Sequence, residues 1–378
     1  MAQVTAGRAV NIVPVTTPAQ LQRFVDLPFR LYRDNPYWVP PLKKEVRALL
    51  DQQHHPFWEH ARGALFLAEQ DGRTVGRISA QVDDNYNQLW NEKLGSFGFF
   101  ECEDDQAVAS ALLDAAAAWV KGQGMNVLRG PMSPSSNEEW GWLLDAYDQP
   151  PVLMMPYNPP YYHRLAENWG LVKAKDLLAF IKMSIQPMPE RLAALARKLK
   201  ANPHITVRPV NMKSLETEMA IIRELYNASW QKNWGFAPMT DKEMDLLKEN
   251  LKNFAVPELV LLAFYDGKPA GLSITLPDMN QILKHLHGRL GPIEMLKFLY
   301  YKKRVTGARA MVFGFKQEYR RLGLPVLLFY ETETYWRAHG YEWGELSWNL
   351  EDNRLINDFD RELGAEEYKH YRVYEKPL

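Results

Sequence analysis

The strongest constraint on this chain is that it is written twice. A duplication settles the architecture before any single element is assigned, because each copy has to close its own core. Val13-Pro14-Val15 returns as Arg208-Pro209-Val210, Leu31-Tyr32 as Leu225-Tyr226, and Leu67-Ala68, Asp71-Gly72 and Gly76 as Leu262-Ala263, Asp266-Gly267 and Gly271. The order is kept throughout, at a spacing of about 195 residues. Phe97-Gly98-Phe99 then returns as Phe313-Gly314-Phe315 and Gly124 as Gly340, with the spacing widened by about 21 residues, and Gly170 and Gly364 restore it. Each half therefore carries one insertion, at a different place.

Within a half, the pattern predicts a strand (11–15; 206–210), one or two helices, and two strands joined at Asp-Gly. A central strand ending at Phe99 or Phe315 follows, then a long helix (106–122; 323–338), another strand, and a last helix and strand. In the first long helix Val108, Leu112, Ala115 and Trp119 share one face at helical spacing. The predicted class is α+β: two tandem lobes, each a mixed sheet flanked by helices. Residues 10–182 form the first lobe, 205–378 the second, and 183–204 a connecting helix with Leu192, Leu195 and Leu199 as its apolar stripe.

Composition narrows the function. Lys plus Arg is 45 against Asp plus Glu at 46, so no global field recruits nucleic acid or an anionic surface. The longest apolar runs are far shorter than the roughly 20 residues that span a bilayer, so no membrane span is expected. The single cysteine, Cys102, cannot form an internal disulfide, and the N-terminus lacks a secretory pattern, so the expected location is cytoplasmic. Acidic neighbours should raise the Cys102 thiol and argue against a nucleophile. His54-His55 with Glu59 and His60, and His285 with His287, fit no standard ligand spacing, and no metal is expected.

The two copies differ where the central strand steps into the long helix. The second reads Gly314-Phe315-Lys316-Gln317-Glu318-Tyr319-Arg320-Arg321-Leu322-Gly323-Leu324-Pro325, a short basic loop with glycine before a helix start. Unpaired amides and the helix dipole converge at such a point and suit a pyrophosphate. The first copy has Glu101-Cys102-Glu103-Asp104-Asp105, which should cap the helix and repel phosphate.

On these residues the chain resembles two fused copies of the GNAT fold, the acyl-CoA N-acyltransferase superfamily, over nearly its whole length. The family's loop, Gln/Arg-x-x-Gly-x-Gly/Ala, grips the coenzyme A pyrophosphate and maps onto Arg320, Gly323 and Pro325; Pro325 departs from it and lacks an amide. A second family pattern runs through Asn353, Ile356, Gly364 and Ala365, with Asp360 where the family commonly has a tyrosine that protonates the leaving thiolate. The resemblance implies acetyl-CoA or a longer acyl-CoA as donor, held by Gly314 to Gln317, Arg320 to Leu324 and Asn353. It also implies an amine acceptor, with direct attack on the thioester and an oxyanion held by an amide near Phe315 or Lys316.

Candidate bases are Glu318, Glu351 and Glu243, and candidate substitutes for the tyrosine are Tyr319 and Tyr330. Two segments read as acceptor walls or as plain packing. One holds Asn227, Trp230, Asn233 and Trp234. The other is the first-half insertion with Asn137 and Glu138, continuing into Tyr157, Asn158 and Tyr162. The aromatic content suits a small-molecule or lipid-like amine, as in ceramide-synthase-like acylation of long-chain amino alcohols. The related aminoacyl-tRNA users are disfavoured by the neutral charge. A catalytically silent binding or scaffold protein is the other reading, since Asp360 and Pro325 break the family pattern.

Overall fold

The computed structural model describes residues 9–254 and 256–378, and they separate into two compact units. The chain enters the first through β1 (Asn11–Pro14), α1 (Pro18–Leu31), α2 (Lys43–Leu49), β2 (Ala61–Gln70), β3 (Arg73–Asp83), α3 (Asp84–Trp90) and β4 (Leu94–Cys102). It continues through α4 (Gln106–Gly122), β5 (Val127–Gly130), the short strands β6 (Met132–Ser133), β7 (Glu139–Trp140) and β8 (Trp142–Leu143), α5 (Tyr161–Trp169) and β9 (Val172–Met183). Strands β1 to β4 pair antiparallel in sequence order, and β4 pairs with β5 in parallel. At the hairpin tip Asp71 and Gly72 both take positive φ, 50° and 73°, which is the type I′ turn that an Asp-Gly pair favours. On α4 the buried positions are Val108, Ala109, Leu112, Leu113, Ala116 and Val120, whereas Ala115 and Trp119 of the expected face are only half-buried.

The second unit comprises α6 (Glu190–Lys200), β10 (Ile205–Pro209), α7 (Leu215–Trp230), α8 (Asp241–Phe254), β11 (Val260–Tyr265), β12 (Lys268–Pro277), α9 (Asn280–Leu283) and α10 (Pro292–Lys302). It is completed by β13 (Gly307–Phe315), α11 (Leu324–Ala338), β14 (Trp343–Leu350), α12 (Arg354–Glu362) and the start of β15 (Glu366–Pro377). Strands β10 to β13 pair antiparallel in order, and β13 pairs with β14 in parallel. The hairpin tip repeats as well, with Asp266 at φ 48° and Gly267 at 73°.

The units do not divide the chain into a front and a back half. Leu177 to Met183, the end of β9, pair antiparallel with β14 in the second unit, and Tyr371–Leu378, the end of β15, belong to the first, where Tyr374 to Pro377 pair with β5. Each unit thus includes strand residues that the chain supplies at the close of the other half. Helix α6 is part of the second unit's core: Leu192, Ala193 and Ala196 are buried among residues of α11, while Leu195 is 39% exposed. A short helix beside a larger one buries alanine as readily as leucine, so the stripe lies about one residue away from the leucine spacing. No described helix is long and apolar enough to cross a membrane.

Candidate active site

A parallel pair in the middle of an otherwise antiparallel sheet is the geometric origin of the site. In each unit the two parallel strands are bonded only at their beginnings. Strands β4 and β5 pair from Leu94 to Ser96, and β13 and β14 from Gly307 to Ala310. Past those points the strands part. Because successive N–H groups of a strand alternate in direction, some of the amides of Met311 to Phe315 face the opening.

In the first unit this opening is filled. The insertion that follows β5 sends Met132 to Pro134 along Gly98, so closely that a Cβ on Gly98 would stand 1.8 Å from the Met132 carbonyl. The Phe99 amide donates to Ser133 Oγ at 3.0 Å, and Gln81 Nε2 donates to the carbonyls of Met132 at 2.7 Å and Pro134 at 3.0 Å. In the second unit β14 runs directly into α12, so no such segment follows the strand, and Met311, Val312 and Phe313 are only half-buried.

The helix starts differ in the same sense. Asp105 caps α4, its carboxylate accepting from the amides of Ala107 at 2.8 Å and Val108 at 3.3 Å, which places a negative charge where an anion would have to sit. Helix α11 begins at Gly323, in the left-handed region at φ 75°, with no side-chain cap. The amides of Arg321, Gly323 and Leu324 have no backbone partner among the described residues. Pro325 at the second helical position removes one donor from that set.

Beside the second opening lies a buried carboxyl that the apolar pattern does not announce. Phe359 of α12 stacks on Phe313 of β13, centroids 5.8 Å apart and planes at 14°. The next residue, Asp360, is 3% exposed and accepts Asn349 Nδ2 at 2.8 Å, from β14 beyond its parting from β13. Burial pushes the Asp360 carboxyl up to about 7, against the downward pull of the Asn349 hydrogen bond and of Arg361. A carboxyl in this state holds or gives up a proton near neutral pH. On the strands themselves, Arg309 donates to Ser347 Oγ at 2.9 Å, Ser347 donates to Glu345, and Tyr368 donates to the same carboxylate, a buried network across the bonded part of the parallel pair.

The residues singled out by sequence distribute unevenly around this geometry. Lys316 pairs with Glu224 and its amide donates to Ala270, so that amide is engaged in the sheet. Arg320 bonds the carbonyls of Phe315 at 3.1 Å and Ser229 at 3.2 Å and so braces the loop, while Gln317, Glu318, Arg321 and Leu322 are exposed. Gly314 lies under Trp230, whose ring would stand 2.2 Å from a Cβ there. Asn353 precedes α12 without capping it, and Glu351 is half-buried at the end of β14. Glu243 caps α8, accepting the Thr240 amide at 2.7 Å. Asn227, Asn233 and Trp234 are half-buried near the end of α7, where the Asn233 amide donates to the Trp230 carbonyl. Tyr319 and Tyr330 are also half-buried.

The first-unit residues carry structural bonds. Asn158 braces Leu143 through its amide at 2.6 Å and its carbonyl at 3.3 Å, and Tyr157 donates to the Tyr147 carbonyl. Tyr162 donates to half-buried Glu101 at 2.7 Å and accepts the Cys102 amide. The amides of Asn137 and Glu138 close a turn on Ser135. Cys102 is buried, and burial with the flanking carboxylates pushes its thiol up. Among the described residues no group of three or more His, Cys, Asp or Glu is placed to hold a metal.

Two features escaped the sequence. Asp360 reads as a lost tyrosine, yet with Asn357 three residues before it supplies the buried side of α12, and two polar residues at that spacing on an inward face are a signal of a buried polar site. The filling segment was legible only as a long insertion.

Two lobes of this topology, each with a parted parallel pair and a long helix starting at the opening, define a tandem GNAT-fold protein. Solved structures with this fold include a tandem GNAT protein from the clavulanic acid biosynthesis pathway, with a TM-score of 0.55 and 13% identity over 98% of both chains. A GCN5-related N-acetyltransferase from Sphaerobacter thermophilus is similar at a TM-score of 0.53 and 14% identity, covering 97% of this chain and 95% of that one. No protein-family model matches the sequence. The chain belongs to the family of the bacterial ceramide synthase of Caulobacter vibrioides (strain NA1000 / CB15N), with 36% identity over 376 residues and 98% of each chain covered. Protein YghO of Escherichia coli (strain K12) is similar at 34% identity over 369 residues, 95% of this chain and 93% of that one.

Proposed function

We propose that the protein transfers an acyl group from a coenzyme A thioester to the primary amine of a lipid-like acceptor, with the coenzyme held by the second unit. The observation that carries this reading is the paired asymmetry of the repeats: an uncapped, amide-rich helix start beside an opening with no filling segment in one, a carboxylate cap and a filled opening in the other. The amides of Arg321, Gly323 and Leu324 hold the pyrophosphate, with Arg321 adding charge at the surface. Alternating amides of Met311 to Phe315 face the thioester carbonyl and stabilise the oxyanion as the amine nitrogen bonds to carbon. The carbon–sulfur bond then breaks, and protonated Asp360 supplies a proton to the departing thiolate in place of the family's tyrosine. Glu351, at the mouth of the opening, takes the proton that the amine loses.

A ceramide-synthase-like acceptor, a long-chain amino alcohol, is favoured by the named Caulobacter relative. Thermal shift with CoA and with a long-chain acyl-CoA tests the donor: at 100 times its dissociation constant a ligand adds about 2.7 kcal/mol to stability. Arg321→Glu should reduce the shift and Asp104→Ala should leave it. No shift with either ligand favours a silent scaffold, and equal effects of the two substitutions refute the assignment to the second unit.

A further inference from the structure

Helix α10 lies in the second-half insertion and buries none of its side chains fully. Ile293 is 67% exposed, Leu296 69%, Leu299 55%, Tyr300 54% and Met295 44%. At the helical repeat these five occupy one arc of about 160°, while Glu294, Phe298 and Tyr301 lie on the other side and are half-buried. Tyr301 anchors that inner side by stacking on His285 at 3.8 Å. The outer face is therefore a continuous apolar stripe rather than scattered exposure, which is what needs a physical explanation.

The charges around the stripe are of one sign. Lys302, Lys303 and Arg304 follow its C-terminal end, all exposed, and no ion pair among the described residues engages them. The helix's one carboxylate, Glu294, is half-buried and accepts the Gly291 amide at 3.1 Å. Arg304 lies over the Tyr300 ring at 3.7 Å, so its aliphatic stem follows the stripe while its charge stays at the rim. An apolar face edged by cations and tyrosines matches the boundary of an anionic bilayer, where the stripe enters the acyl region and the cations meet headgroup phosphates. A second copy docking face to face would bring these cations against one another.

We propose that α10 docks the protein on the surface of an anionic lipid membrane, inserting Ile293, Leu296 and Leu299 among the acyl chains. This surface is independent of the acyl-transfer reading, because its occupancy is read without donor or acceptor. The test is co-sedimentation of the full-length protein with vesicles of phosphatidylcholine alone and of phosphatidylcholine mixed with phosphatidylglycerol. Binding to the mixed vesicles is expected to exceed binding to neutral ones. Lys302→Gln with Lys303→Gln should weaken it by about fivefold per cation removed, roughly 25-fold together.

Leu296→Glu with Leu299→Glu should remove binding to both vesicle types, and since both side chains are already exposed, the melting temperature should not move. Wild-type protein that ignores anionic vesicles, or a doubly substituted Leu variant that binds as wild type does, overturns the proposal. A concentration-dependent dimer that Leu296→Glu dissociates, with no vesicle binding, overturns it in favour of a second copy.

Discussion

Asp360→Asn separates the buried acid from everything around it, because the substitution keeps the shape and an oxygen that can accept Asn349 while removing the titration. The folded protein holds this carboxyl at about 7 against an ordinary 3.8. A folded-state value raised in this way means that the native state binds the proton more tightly than the unfolded chain does. The contribution is fully present below the ordinary value and is lost as pH rises through about 7. At 1.36 kcal/mol per unit, a raise of about 3 units costs the native state roughly 4 kcal/mol once the group is ionised, without screening at a site this buried. At pH 5 the cost has reached about 1–2 kcal/mol and at pH 8 nearly the whole amount, so the variant should gain roughly 2–3 kcal/mol more over wild type at pH 8 than at pH 5. Urea unfolding at the two pH values measures this directly. In the same preparations kcat should fall above pH 7 in the wild type and lose that limb in the variant. An advantage of the variant that is equal at both pH values would show that the carboxyl does not titrate where burial places it, and the proposed proton donor would go with it.

The first unit offers two further tests. Asp105→Ala leaves the amides of Ala107 and Val108 without their acceptor and should cost about 1 kcal/mol in urea unfolding, while the CoA-induced thermal shift stays as in wild type; an enlarged shift would place the anion site at α4, where the substitution frees those amides and removes a repelling charge. Gly98→Ala sets a methyl group 1.8 Å from the Met132 carbonyl, which the backbone must yield to accommodate, and should cost about 1–3 kcal/mol. Unchanged stability would mean that Met132 to Pro134 does not hold the opening shut.

Much of the architecture was legible because repetition and turn chemistry are local. The Asp71-Gly72 and Asp266-Gly267 tips need residues that tolerate positive φ, and that requirement is written in the residues themselves. The acidic cap at Asp105 and the uncapped start at Gly323 were equally readable, since capping involves only neighbours a few residues apart. Helix faces were less secure: Ala115 and Leu195 fit the spacing, but which side of a helix is buried depends on the surface it meets.

The site itself needed the folded chain. Glu243, Asn158 and Tyr162 have the chemistry of functional residues, and only their partners show them tying a helix cap, a loop and a half-buried carboxylate. Asp360 looked like a loss until burial, against the downward pull of the Asn349 hydrogen bond, raised its carboxyl to about 7. The sequence by itself determined that there are two lobes, where each turns, and which helix start carries an acidic cap, all consequences of short-range bonding. Tertiary structure alone decided which opening is filled, which strand residues each unit takes from the other half, and which acid is removed from water, because these follow from contacts between segments distant in sequence and from the cost of burying charge.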